Sequence, residues 1–197
     1  MESSIVRPDQ QRRREGVLFL VLFALTIPAA NWLIGHVGTS CVTPQGPCVV
    51  PVAPGLAPGR RAPSGVMLVG VALVLRDLVQ RRLGTGPSAL AILFGSALSA
   101  LLAPASLVIA SATAFLLSEF ADLAVYTPLA RRRLVAAVMA SSLVGLVVDS
   151  IVFLWLAFGS LDFLVGQVVG KSWMVLLSVP FVTWLRRRDE RLGIKPA

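Results

Sequence analysis

Six ionisable residues lie inside otherwise apolar stretches of this chain: Arg76 and Asp77, Glu119 and Asp122, Asp149, and Lys171. Asn31, Tyr126 and Gln167 are their uncharged companions. On helices, Glu119, Asp122 and Tyr126 share one face, as do Arg76 with Gln80 and Gln167 with Lys171. Two carboxylates one turn apart repel unless a cation, a proton or a ligand joins them, so Glu119 and Asp122 read as functional. Arg76 meets one of them if their helices are neighbours. The alternative for Arg76 and Asp77, two turns from Arg81, is that they snorkel to a membrane interface. Asp149 and Lys171 each lie eleven residues from a turn near Ser160. At about 1.5 Å rise per residue they reach the same depth and pair across a helical hairpin. That pair is either a purely structural ion pair or part of a solute site. Phe153, one turn from Asp149, supplies an aromatic wall beside it.

This set lacks the makings of a catalytic constellation. The one histidine, His36, falls at the end of an apolar run, away from the acids. No nucleophile elbow, phosphate-binding glycine loop or zinc-protease motif is present. Glu119-x-x-Asp122 lacks the imidazoles that would make it half a metal site, so neither a metal nor a cofactor is expected. A membrane enzyme would need a nucleophile beside a base, and a merely structural protein would have no use for clustered internal charges. Cys41 and Cys48 lie in one segment, where an oxidising exterior permits a disulfide and two free thiols are the alternative.

The elements that carry these residues follow from hydropathy. Of 197 residues, 56% are hydrophobic and 14% charged, and mean hydropathy is +0.81. Soluble domains carry about 25% charged residues, so the chain is read as an all-α integral membrane protein. A helix needs roughly 20 apolar residues to cross the hydrocarbon core, and candidate spans fall at about 17–37, 64–83, 87–103, 105–128, 134–158 and 161–185. The segment 1–16 is a basic N-terminal stretch, 17–188 a bundle of six transmembrane helices, and 189–197 a tail. Residues 38–63, rich in Pro and Gly, form an external loop. Leu102-Ala103-Pro104 and Gly159-Ser160 divide tight hairpins.

The net charge of +8 does not indicate nucleic acid, because the arginines sit in short clusters beside apolar runs. Placing both termini in the cytoplasm puts Arg12–Arg14, Arg81/Arg82, Arg131–Arg133 and Arg186–Arg188 inside, and leaves Arg60 and Arg61 outside, as the positive-inside rule requires. Arg12–Arg14, the run Val17–Ile27 and Pro28-Ala29-Ala30 imitate a signal peptide, but the apolar run continues through Trp32, Leu33 and Ile34, so a retained span is expected. Gly166 and Gly170 form a small-xxx-small pair, which reads as close helix packing.

As an ordered set, several segments resemble one family. They are Arg76-Asp77-Leu78 followed by Gly84, Ser118-Glu119-Phe120-Ala121-Asp122 with Tyr126, SLVGLVVDSIVFLWLAF from Ser142 to Phe158, and Gln167 to Lys171 with Pro180. The resemblance, which also takes in Asn31-Trp32, is to the VUT family of vitamin-uptake or queuosine precursor transporters (DUF165). It implies uptake of 7-cyano-7-deazaguanine (preQ0) or a related deazapurine across a bacterial inner membrane. The long Pro/Gly-rich first loop with two cysteines departs from the better-known members. The implied substrate-binding set is Asn31, Arg76, Asp77, Glu119, Asp122, Asp149, Phe153, Gln167 and Lys171. Asp149 or Glu119 would take the guanidine-like edge, Lys171 and Gln167 the oxygen side, and Arg76, Asp77 and Asp122 an inner gate. The runner-up is a vitamin-binding subunit that works with a separate ATPase module; a homo-oligomer is the other partner considered.

Overall fold

A computed structural model describes residues 8–41, 48–52, 61–103 and 107–197. The expectations for 1–7, for the loop parts 42–47 and 53–60 with Arg60, and for Pro104 lie outside the described residues. Six helices follow in order: α1 (Pro8–His36), α2 (Val66–Leu83), α3 (Thr85–Leu102), α4 (Val108–Leu129), α5 (Leu134–Phe158) and α6 (Leu164–Leu192). Five of them, all but α2, are long and apolar enough to cross a membrane. The exception is instructive. The 18 residues of α2 carry Arg76, Asp77, Arg81 and Arg82, yet this helix touches each of the other five. Packed at the centre, it buries all four of these side chains against protein, which avoids the cost such groups would carry in contact with lipid.

The helices at both ends of the chain outrun the hydropathy signal. α1 begins at Pro8 and α6 ends at Leu192, so each, at 29 residues, is about 43 Å long against a hydrocarbon core of about 30 Å. The overhang carries Arg12–Arg14 and Arg186–Arg188, polar residues that keep a helical backbone once outside the apolar layer. Gly84, at φ 94°, makes the one-residue turn from α2 to α3, a left-handed geometry that suits a residue without a Cβ.

The lipid-facing surface has the expected character. Trp32, Trp155, Trp184, Phe94 and Leu101 are exposed, while Phe19, Phe23, Leu73, Leu78, Tyr126 and Leu146 are buried between helices.

Part of the Pro/Gly-rich segment is more ordered than its composition suggests. Strands β1 (Ser40–Cys41), β2 (Cys48–Pro51) and β3 (Arg61–Pro63) form a small antiparallel sheet in that order. A disulfide joins Cys41 to Cys48, which face each other in the β1–β2 register. Ser64 ties the sheet to the helices by donating its hydroxyl to Leu33 O at 2.6 Å, and Val52, Ala62 and Val66 form a small core with it. Gly166 serves this sheet, which corrects the expectation of helix-on-helix packing there, whereas Gly170 meets the first residue of α2 as well as Val52. A Cβ on Gly166 would lie 1.9 Å from Arg61 O, and one on Gly170 would meet Val66 and Val52. Gly70 lets α2 close on α6, where a Cβ would lie 2.7 Å from Lys171 O.

Candidate functional site

Two polar clusters occupy the interior. Nearer the sheet, α5 and α6 bring Asp149 and Lys171 together across their hairpin. Lys171 donates to Asp149 Oδ2 at 2.5 Å, Gln167 Oε1 at 2.6 Å and Ser150 Oγ at 2.8 Å. The ammonium group has three hydrogens and all three are used. One cation and one carboxylate leave this cluster balanced.

The donor count also fixes what remains. Asp149 spends Oδ2 on Lys171, so among the described residues Oδ1 is left as an acceptor. Gln167 accepts through Oε1, which leaves its Nε2 as a donor. Asn31 donates Nδ2 back to Ile27 O at 3.0 Å, leaving its amide oxygen as another acceptor. Lys171 has nothing further to donate, so its part is to orient Asp149 and Gln167.

Deeper, Arg76 on α2 sits among three carboxylates. Its Nε donates to Glu119 Oε2 at 3.0 Å, Nη1 lies 3.0 Å from Asp77 Oδ1, and Nη2 bonds Asp122 Oδ2. Gln80 accepts from Nη1 at 3.3 Å, and the guanidinium carbon lies 5.9 Å from the centre of the Tyr126 ring. Ser141 of α5 donates to Asp77 Oδ2 at 2.9 Å. Arg76, Asp77 and Asp122 are wholly buried, 0% exposed, which excludes snorkelling to an interface.

Two small cavities connect these clusters. The first, of about 90 Å³, is lined by Asn31, Ser99, Ser111, Phe115, Asp149, Phe153, Gln167 and Lys171, with Pro63 and Gly65 at the sheet side. The second, of about 60 Å³, shares Asn31, Ser99, Phe115 and Asp149 with the first and reaches Thr26, Ser118 and Glu119. Glu119 therefore belongs to both regions, bonded to Arg76 on one side and bordering a cavity on the other. Arg76, Asp77 and Asp122 border neither cavity.

A family model described as "Putative vitamin uptake transporter" matches residues 88–185. Across that stretch the chain belongs to the family. The matched region runs from α3 to α6 and contains Glu119, Asp122, Asp149, Gln167 and Lys171, whereas Arg76 and Asp77 precede it. Comparison with the curated proteins and with the solved structures finds no significant match. Vitamin uptake transporter membership, together with the apolar helices, makes the chain a multi-pass membrane protein of a transporter family.

Sequence reasoning missed several residues. Phe115 lines both cavities; only its position one turn before Glu119 would have pointed to it. Ser99 is buried on α3 with no charged neighbour in sequence to mark it. At the opposite end from the sheet, Asp189 accepts from Arg81 at 3.0 and 3.2 Å and from Arg82 twice at 2.8 Å. Glu15 bridges Arg82 and Arg188. This clamp binds the ends of α1, α2 and α6, and so gathers the arginine clusters at one end of the bundle.

Proposed function

We propose that this protein imports a small, flat, nitrogen-rich heterocycle across the cytoplasmic membrane, most specifically preQ0 or a related deazapurine. The observation that carries this reading is the cavity lined by residues of all six helices, with an acceptor and a donor among its lining side chains. Asp149 and Gln167 line it, both held by Lys171, and their uncommitted Oδ1 and Nε2 are an acceptor and a donor available to a solute. A deazaguanine offers N1–H and an exocyclic amine on one edge, which a carboxylate accepts, and an oxygen beside them that an amide N–H satisfies. Phe115 and Phe153 supply the apolar walls a flat ring needs. Pockets for drug-sized ligands run to about 300–1,000 Å³; cavities of about 90 and 60 Å³ favour a compact solute and require the helices to part around it.

The same reading places six spans in the membrane, with α2 as the sixth at the centre, and both termini in the cytoplasm. The gathering of Arg81, Arg82, Arg131, Arg132, Arg186 and Arg188 at one end supports that orientation. A reporter fused after Ala197 should behave as cytoplasmic. In this orientation the sheet and its disulfide lie outside, over the mouth of the cavity, and no role for Glu119, Asp122, Asp77 or Arg76 in direct contact with solute is needed beyond that of Glu119.

The function is tested by expressing the chain in a bacterium that lacks both deazaguanine synthesis and its own importer. Supplied with nanomolar preQ0, these cells should regain queuosine in tRNA where the empty vector does not. Absence of queuosine with the protein shown to be in the membrane would refute preQ0 as substrate. An ATPase module copurifying with the chain would instead favour a binding subunit that needs such a partner.

A further inference from the structure

The Arg76 cluster does not balance its charge. Its one guanidinium faces Asp77, Glu119 and Asp122, so three ionised carboxylates would leave two negative charges uncompensated. The other charged groups around it are committed elsewhere: Lys171 on α6 to Asp149 on α5, and Arg81 at the end of α2 to Asp189. The remaining groups packed on the cluster are neutral: Gln80 on α2, Tyr126 on α4 and Ser141 on α5. Charges this deeply buried persist only when paired.

Hydrogen bonding gives an independent sign of the same deficit. Among the described residues Asp122 Oδ1 and the Tyr126 hydroxyl are buried without a hydrogen-bond partner, and Asp77 Oδ1, although 3.0 Å from Arg76 Nη1, accepts no well-directed hydrogen bond. The Asp77 and Asp122 carboxyl groups both pair with the one Arg76 guanidinium. Carboxylates crowded onto a single buried cation favour the neutral, proton-bearing form of one of them. A metal ion does not fill the role, because among the described residues no group of three or more such side chains is placed to hold one, and Arg76 occupies the centre.

We propose that the Arg76–Asp77–Glu119–Asp122 cluster is a proton-binding site that exchanges with the solute cavity through Glu119, so that solute uptake is coupled to protons. The chemistry is proton transfer alone: an O–H bond forms on a carboxyl as the proton arrives from one side and breaks as it leaves to the other. Of these four residues Glu119 alone borders either of the two cavities, and its cavity also holds Asp149. A solute entering it therefore reaches the proton-bearing group and the solute-binding group together. Buried acids on the path of a transported solute are the usual proton carriers of membrane pumps and transporters.

The coupling half rests on the importer reading above; the proton-binding half does not, and the test separates them. Infrared spectra of the purified full-length protein in lipid at neutral pH should show the C=O band of a protonated carboxyl. The band should shift on exchange into heavy water, and Asp122→Asn, Asp77→Asn or Glu119→Gln should remove it. No such band in the unsubstituted protein, or a band that never exchanges, would overturn the proton site. In proteoliposomes, labelled preQ0 uptake and internal pH are then followed together. Uptake should acidify the lumen and rise several-fold under an inward proton gradient. Uptake without acidification would overturn the coupling. No uptake at all would refute the importer reading, with the infrared result still deciding the proton site.

Discussion

The two polar regions of the interior are built from the same residue types and solve opposite problems. Around Lys171, one cation meets one carboxylate, every ammonium hydrogen is used, and the carboxylate, which lines a cavity, keeps one oxygen uncommitted. Around Arg76, one cation meets three carboxylates, and Arg76, Asp77 and Asp122 line neither of the two cavities. A balanced pair can leave hydrogen-bonding capacity for a neutral solute without leaving charge unpaired. An unbalanced cluster must take up charge from elsewhere, and a proton is the smallest carrier of it. Glu119 joins the two, which is what a coupled carrier requires.

The largest effect that would sharpen this contrast is expected from Arg76→Gln. It strips the only cation from three buried carboxylates, and breaking even one buried pair costs about 3–5 kcal/mol. Folded protein should be largely lost from the membrane, as read by size-exclusion of a fluorescent fusion. Normal accumulation would break the claim that the guanidinium holds this cluster together.

Lys171→Met comes next, because it strands a single carboxylate. It should lower stability by about 3–5 kcal/mol and abolish uptake. Adding Asp149→Leu removes the stranded charge, so the double variant should regain most of the thermal stability while uptake stays lost. Recovery of both would reduce the pair to a structural ion pair.

Those two clusters were legible in the sequence for a geometric reason. A helical hairpin puts residues equidistant from its turn at one depth, which paired Asp149 with Lys171, and the spacing of Glu119, Asp122 and Tyr126 allows only one shared face. What stayed hidden depends on contacts between distant segments. Asp189 follows three arginines and reads as a solvated tail residue, yet it accepts four hydrogen bonds from Arg81 and Arg82. Of the Gly166–Gly170 pair, Gly170 does meet a helix, at Val66, but Gly166 seats a sheet, because strands of two to four residues interrupted by proline leave no periodicity to read. The central place of α2 was written in its excess charge, which is visible only once its neighbours are known to be more apolar.

Smaller effects test the frame around the two regions. Gly166→Ala pushes a methyl group against Arg61 O, and overpacking of this kind costs about 1–3 kcal/mol. Thermal stability should fall by that amount, with weakened uptake as the sheet shifts over the cavity. Asp189→Asn removes the carboxylate charge that both Arg81 and Arg82 contact. Leaving buried donors poorly satisfied costs about 1–3 kcal/mol, so the melting temperature should drop with no change in preQ0 affinity. A changed affinity would mean that the arginine end communicates with the site.

The most direct test of the central claim is calorimetric titration of preQ0 into the purified protein, alongside Asp149→Asn. The cavity predicts that preQ0 binds the unsubstituted chain and that the variant, folded to the same extent, binds it at least tenfold more weakly. Equal binding by both proteins, or none by the unsubstituted chain, would contradict the assignment of Asp149 as the group that reads the solute.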